Sequence, residues 1–69
     1  MNVEWVDGSR IKVTIENDTV TISANRQGLL SLSRQLMDMA DEENGAHIHY
    51  DEYNSLEDDS TEMIIEKSE

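Results

Sequence analysis

Apolar and polar residues alternate strictly along "RIKVTIENDTVTISAN". Ile11, Val13 and Ile15 alternate with Lys12, Thr14 and Glu16, and Val20, Ile22 and Ala24 alternate with Thr19, Thr21 and Ser23. That period is the signature of half-buried strands. Asn17-Asp18 between them suits a two-residue turn with both φ angles positive. Such a turn sets Ile15 opposite Val20, Val13 opposite Ile22 and Ile11 opposite Ala24, so that every apolar side chain of the hairpin falls on one face. Upstream, "VEWVDGSR" reads as a further strand turned at Asp7-Gly8-Ser9. A three-residue loop there places Trp5 opposite Ile11 and Val3 opposite Val13, which buries Trp5 in the core.

After "SAN" the period changes. At 100° per residue, Leu29, Leu30, Leu32, Leu36, Met37, Met39 and Ala40 share one wide arc, interrupted by Ser33 and Glu43. Ser31, Arg34, Gln35, Asp38, Asp41 and Glu42 fill the opposite side. The spacing predicts an amphipathic helix over 26–44, with Asn25 as N-cap and Gly45 as a left-handed stop. Its broad apolar face suits packing on a sheet, and its two methionines serve as gap-fillers rather than as a cofactor site. "AHIHY" then returns to alternation, Ala46, Ile48 and Tyr50 inward and His47 and His49 outward. "DEYNSLEDDS" has loop composition, with Tyr53 and Leu56 as anchors to the domain. In "TEMIIEK" a last strand turns Met63 and Ile65 one way and Glu62, Ile64 and Glu66 the other. The predicted fold class is α+β: one domain over 1–69, element order βββαββ, a single helix covering one face of a small four- or five-stranded antiparallel or mixed sheet.

Length and charge narrow the function. Sixty-nine residues leave little room for an enclosed active-site cleft. The absence of cysteine removes disulfides, thiolate metal sites and cysteine nucleophiles together. No apolar run approaches the length of a membrane helix, and "MNVEWVDGSR" has no signal-peptide character, so a soluble, cytoplasmic protein is expected. The net charge of −11 is unevenly placed. Residues 1–37 balance four acids with four bases, whereas residues 38–69 carry twelve acids against Lys67 alone. A field of that sign disfavours nucleic acid and anionic membranes and speeds encounter with a basic protein.

Catalytic chemistry finds little support. In a strand, His47 and His49 share a face and Asp51 continues the row, a His-x-His-x-Asp pattern with a metal-site rationale. A catalytic zinc normally needs three ligands held by a second layer of partners, and this chain offers neither a third histidine nor a cysteine. The two histidines therefore read as the solvent side of a half-covered sheet, and no cofactor is expected. No serine sits in a Gly-x-Ser-x-Gly elbow. "NRQG" lacks the lysine and glycines of a phosphate loop, and "LEDDS" lacks the alternating ligands of a calcium loop.

The stretch "NRQGLLSLSRQLMDMA", followed by "GAHIHYD" and "LEDDSTEMIIEK", resembles the immunity protein 32 family of bacterial polymorphic toxin systems over about residues 24–67. That resemblance implies a non-enzymatic protein that binds and neutralises a cognate toxin. It transfers no binding residues. Joined to the charge pattern, it suggests a basic partner, such as a nuclease toxin domain. Asp51, Glu52, Glu57, Asp58 and Asp59 form the expected contact cluster, with Tyr53 as its aromatic anchor. Two other readings stand beside it: a homodimer or regulatory protein-binding module built on an open sheet edge, and a metal-binding domain using His47, His49 and Asp51.

Overall fold

In the computed structural model, which describes residues 3–69, the alternating stretch forms β1 (Ile11–Glu16) and β2 (Thr19–Ala24). They pair antiparallel in the predicted register, Ile11 to Ala24, Val13 to Ile22 and Ile15 to Val20. Asn17 and Asp18 take φ values of 51° and 62°, the two left-handed residues that a turn of matching twist requires. Only the open end of this hairpin enters the core. Ile11 and Val13 are buried, whereas Ile15, Val20 and Ile22 stay exposed, because the chain passes from β2 straight into the helix and covers the Ile11–Ala24 end alone.

Helix α1 spans Arg26–Ala40 and is N-capped by Asn25, as predicted. The Asn25 Oδ1 accepts from the Gly28 N–H at 2.8 Å and from the Arg10 N–H at 3.0 Å, which ties the helix start to β1. The helix ends four residues before the predicted 44. Its last turn tightens, with the Asp41 N–H on the Asp38 carbonyl, and the Lys67 ammonium takes the terminal Ala40 carbonyl. Gly45, at φ 94°, is left-handed, but it donates to the Lys67 carbonyl at 2.7 Å and so opens the next ladder instead of stopping the helix.

The buried helix face also differs from the expected arc. Gly28, Ser31, Leu32, Gln35 and Met39 face inward, while Leu29, Leu36 and Met37 face solvent. Two polar side chains thus displace half of the apolar arc, and the N-terminal segment explains why. Residues 3–9 contain no strand. Their backbone is satisfied by the helix instead: the Val6 N–H donates to Ser31 Oγ at 2.9 Å, and Gln35 Nε2 donates to the Glu4 carbonyl at 2.8 Å. Burying Ser31 and Gln35 is tolerable only because each polar atom is paired. Trp5 does pack inward, though against Tyr50, edge to face with ring centroids 6.0 Å apart, and not in a strand opposite Ile11.

Strands β3 (His47–Tyr50) and β4 (Met63–Glu66) pair antiparallel, with His49 opposite Ile64 and Tyr50 opposite Met63. Inward Ile48 and Tyr50 and outward His47 and His49 follow the predicted alternation. The single sheet expected from sequence is not formed. Two separate two-stranded sheets flank the helix in the order ββαββ. The outer edge of β1 is already occupied by the loop after β3, since Glu57 N–H donates to the Ile11 carbonyl and Thr61 N–H to the Val13 carbonyl, at 2.8 and 2.7 Å. With that edge taken, β4 has no place to join β1. Ile11, Val13, Leu32, Met39, Ile48, Tyr50 and Leu56 form the common core, lined by Trp5, Ala24, Met63 and Ile65.

Tyr50 is the central residue of this core and is fully buried. Its hydroxyl donates to Gln35 Oε1 at 2.7 Å, and burial pushes its pKa up from the ordinary tyrosine value. The folded chain then holds a proton that the unfolded chain releases near pH 10, so stability is complete below that pH and falls as pH rises through the folded value. Tyr50→Phe is expected to cost about 1–2 kcal/mol at pH 7, because Gln35 Oε1 loses its donor, and to remove this alkaline component. Urea melts of both proteins at neutral and alkaline pH check the pair of effects.

Candidate functional site

The segment 51–60 between β3 and β4 carries five of the chain's carboxylates. Its path is fixed by its own polar residues. Asp51 Oδ1 accepts from the Tyr53 and Asn54 N–H groups at 2.9 and 3.0 Å, the turn expected of an aspartate two residues ahead of free amides. Asn54 closes the same turn from the other side, accepting from the Asp51 N–H and from Ser55 Oγ and donating to the His49 carbonyl. Glu52 Oε2 reaches across to the Asp59 N–H at 2.9 Å, and Asp59 sits at φ 67°. The loop is then fastened to the domain by buried Leu56, by the backbone bonds of Glu57 and the following Thr61 to β1, and by the Val13 N–H on Ser60 Oγ.

These bonds divide the five acids by role. Asp51, half-buried, and Glu52 spend a carboxylate oxygen on the loop's own amides and act as its frame. Glu52 is nevertheless exposed, as are Glu57, Asp58 and Asp59. Glu57 lines shallow depressions with Arg10 on one side and with Lys12, Leu56 and Asp58 on the other, so two bases of the first half lie close to the start of the acidic run. Tyr53, expected to help anchor the loop, is 96% exposed instead. Leu56 alone holds that position from within, and the Tyr53 ring stands free in solvent at the loop tip.

The outward histidines lie side by side, their ring centroids 5.1 Å apart, and His47 Nδ1 is within 3.1 Å of the Gly45 carbonyl. Asp51 lies just past the end of β3, and its Oδ1 is taken up by the Tyr53 and Asn54 amides. Among the described residues, no three His, Cys, Asp or Glu side chains converge in a way that could hold a metal ion. No helix there is long and apolar enough to cross a membrane. Sequence reasoning missed Asn54 and Ser60, whose side chains set the loop. The available signal was the Asp-x-x-Asn spacing that begins it.

No curated protein matches this chain, and no solved structure matches it. A family model described as immunity protein 32 matches residues 19–68, which takes in β2, α1, β3, the acidic loop and β4. That span is well over half of the sequence, and the chain belongs to the immunity protein 32 family.

Proposed function

We propose that this protein neutralises a cognate toxin by placing the loop 51–60 in a basic cleft of the toxin domain, and that the cleft is one that normally holds nucleic acid. The observation that carries this reading is the loop itself: four exposed acids, of which Glu52 also braces the loop, and an exposed tyrosine, presented on a backbone already fixed by its own side chains. A preformed loop loses little conformational freedom on binding, which leaves more of the contact energy for affinity. Glu57, Asp58 and Asp59 stand in for the spacing of negative charge along a phosphate backbone. Tyr53 adds apolar contact area together with a hydroxyl, at small entropic cost. Asp51 and Glu52 keep the loop in shape and add to its field.

Family membership supports a protein partner of the toxin class. The negative field supports a basic one, and fast, salt-sensitive association follows from it. The test is co-production, in a heterologous host, with the toxin domain encoded beside this chain's gene. Growth is expected to be restored by the native chain and lost again when Glu57 and Asp58 become lysine, at equal protein level. Full protection by that variant would remove the acidic loop from the mechanism.

A further inference from the structure

The two edges of the β1–β2 hairpin are treated differently. The β1 edge is covered by the acidic loop. Residues Thr19, Val20, Thr21, Ile22 and Ser23 of β2 are all exposed, and β2 pairs with β1 alone in the sheet. In the observed register Glu16–Thr19 closes the two-residue turn, so Thr19, Thr21 and Ser23 bond to β1 while the N–H and C=O groups of Val20 and Ile22 point outward. Natural sheet edges are usually guarded by a charge, a proline or a bulge. "TVTISA" has none of these, and its Val20 and Ile22 side chains are 60% and 43% exposed.

We infer that this edge pairs with the same edge of a second copy, forming a two-fold homodimer with a continuous four-stranded antiparallel sheet. The strand is self-complementary about Thr21. Crossing the axis there sets Val20 against Ile22 of the other copy in both directions, and joins their outward amides and carbonyls in the closely spaced pairs of an antiparallel ladder. The same register brings the turn end of one hairpin, with Glu16 and Asp18, alongside the exposed Arg26 where the other copy's chain leaves β2. Opposite charges thus meet at both ends of the interface, and no charge lies between them. The region also suits self-association despite a net charge of −11: residues 10–26 hold three bases against two acids. That slight positive balance repels the basic partner proposed for the acidic loop. In the dimer the two acidic loops lie on the outer flanks, beyond β1 of each copy, and remain free.

Sedimentation equilibrium between about 10 µM and about 1 mM, the range in which weak interfaces dissociate, is expected to show reversible dimerisation of the native chain. The variant carrying V20K and I22K should stay monomeric throughout with an unchanged far-UV spectrum, since both side chains are solvent-facing in the single chain. Register is tested by cysteine. The native chain has none, so T21C introduces one thiol that lies opposite its own copy in a non-hydrogen-bonded pair, at about 4.5 Å between Cα atoms, within disulfide reach. T14C, three strand spacings or roughly 14 Å from its copy, should not cross-link under the same mild oxidant. A native chain that is monomeric at the highest concentration overturns the inference, as does equal cross-linking of T14C. Amide protection of residues 19–23 that arises only when a toxin domain is added would assign the edge to that partner and overturn it as well.

Discussion

Gly28→Ala is expected to destabilise the fold by about 2 kcal/mol, although alanine is favoured over glycine in a helix by about 1 kcal/mol. A Cβ at this position would lie 2.8 Å from the Arg10 carbonyl oxygen, 2.8 Å from Ile11 Cγ1 and 3.1 Å from Ala24 Cβ. The first of these is backbone, held in place by the Asn25 N–H, so the neighbour cannot simply rotate away. Gly28 is what lets α1 cross the open end of the β1–β2 hairpin in contact. Valine at the same position should leave little folded protein at 25 °C, given the modest stability a core of this size supplies. Urea denaturation decides the matter by sign alone. A rise in unfolding free energy for Gly28→Ala would mean that helix and hairpin do not approach as closely as described.

The second large effect is on association. Replacing Glu57 and Asp58 by lysine and Asp59 by asparagine should slow binding to the toxin domain by roughly 100-fold at low salt, with a smaller change in the dissociation rate. Asparagine is chosen at position 59 because the residue sits at positive φ, where asparagine is well tolerated and lysine is not. The gap between variant and native chain should shrink as salt rises, since exposed charges are screened beyond about 8 Å at physiological ionic strength. Asp51→Ala is expected to behave differently. It removes the acceptor of two loop amides while changing little of the exposed charge, so it should act mainly by hastening dissociation. Surface plasmon resonance over a salt series separates the two patterns.

The parts of the fold that sequence foretold are those where local pattern and tertiary structure agree. The β1–β2 register followed from strict alternation around a turn of two residues able to take positive φ, and the Asn25 cap from its place ahead of the first helical turn. The rotation of the helix was not legible, because hydropathy assigns Ser31 and Gln35 to solvent. Their burial depends on backbone groups of Glu4 and Val6, contacts 31 and 25 residues away in sequence. The missing first strand is the same event seen from the other side. Its Val6 N–H and Glu4 carbonyl found side chains on the helix rather than a ladder on β1. Splitting of the sheet was equally hidden, since nothing in "LEDDST" announces that its backbone will occupy the β1 edge.

The candidate site was partly legible in the same way. Composition located the acidic loop, yet it assigned Tyr53 a packing role that the ring does not play, and it could not tell Asp51 and Glu52, which brace the loop, from Glu57, Asp58 and Asp59. That distinction lies in hydrogen bonds between residues two to seven positions apart. It changes the expected phenotype of each substitution from a common loss of charge to two separable defects, one in rate of encounter and one in lifetime.

The most direct test of the binding surface is amide hydrogen exchange of this chain with and without its toxin domain, at saturating concentration. Slowed exchange concentrated in residues 53–59 is the predicted result, with β3 and the exposed flank of α1 unchanged. Protection confined to that flank, around Leu29, Leu36 and Met37, with the loop exchanging as in the free chain, would contradict it.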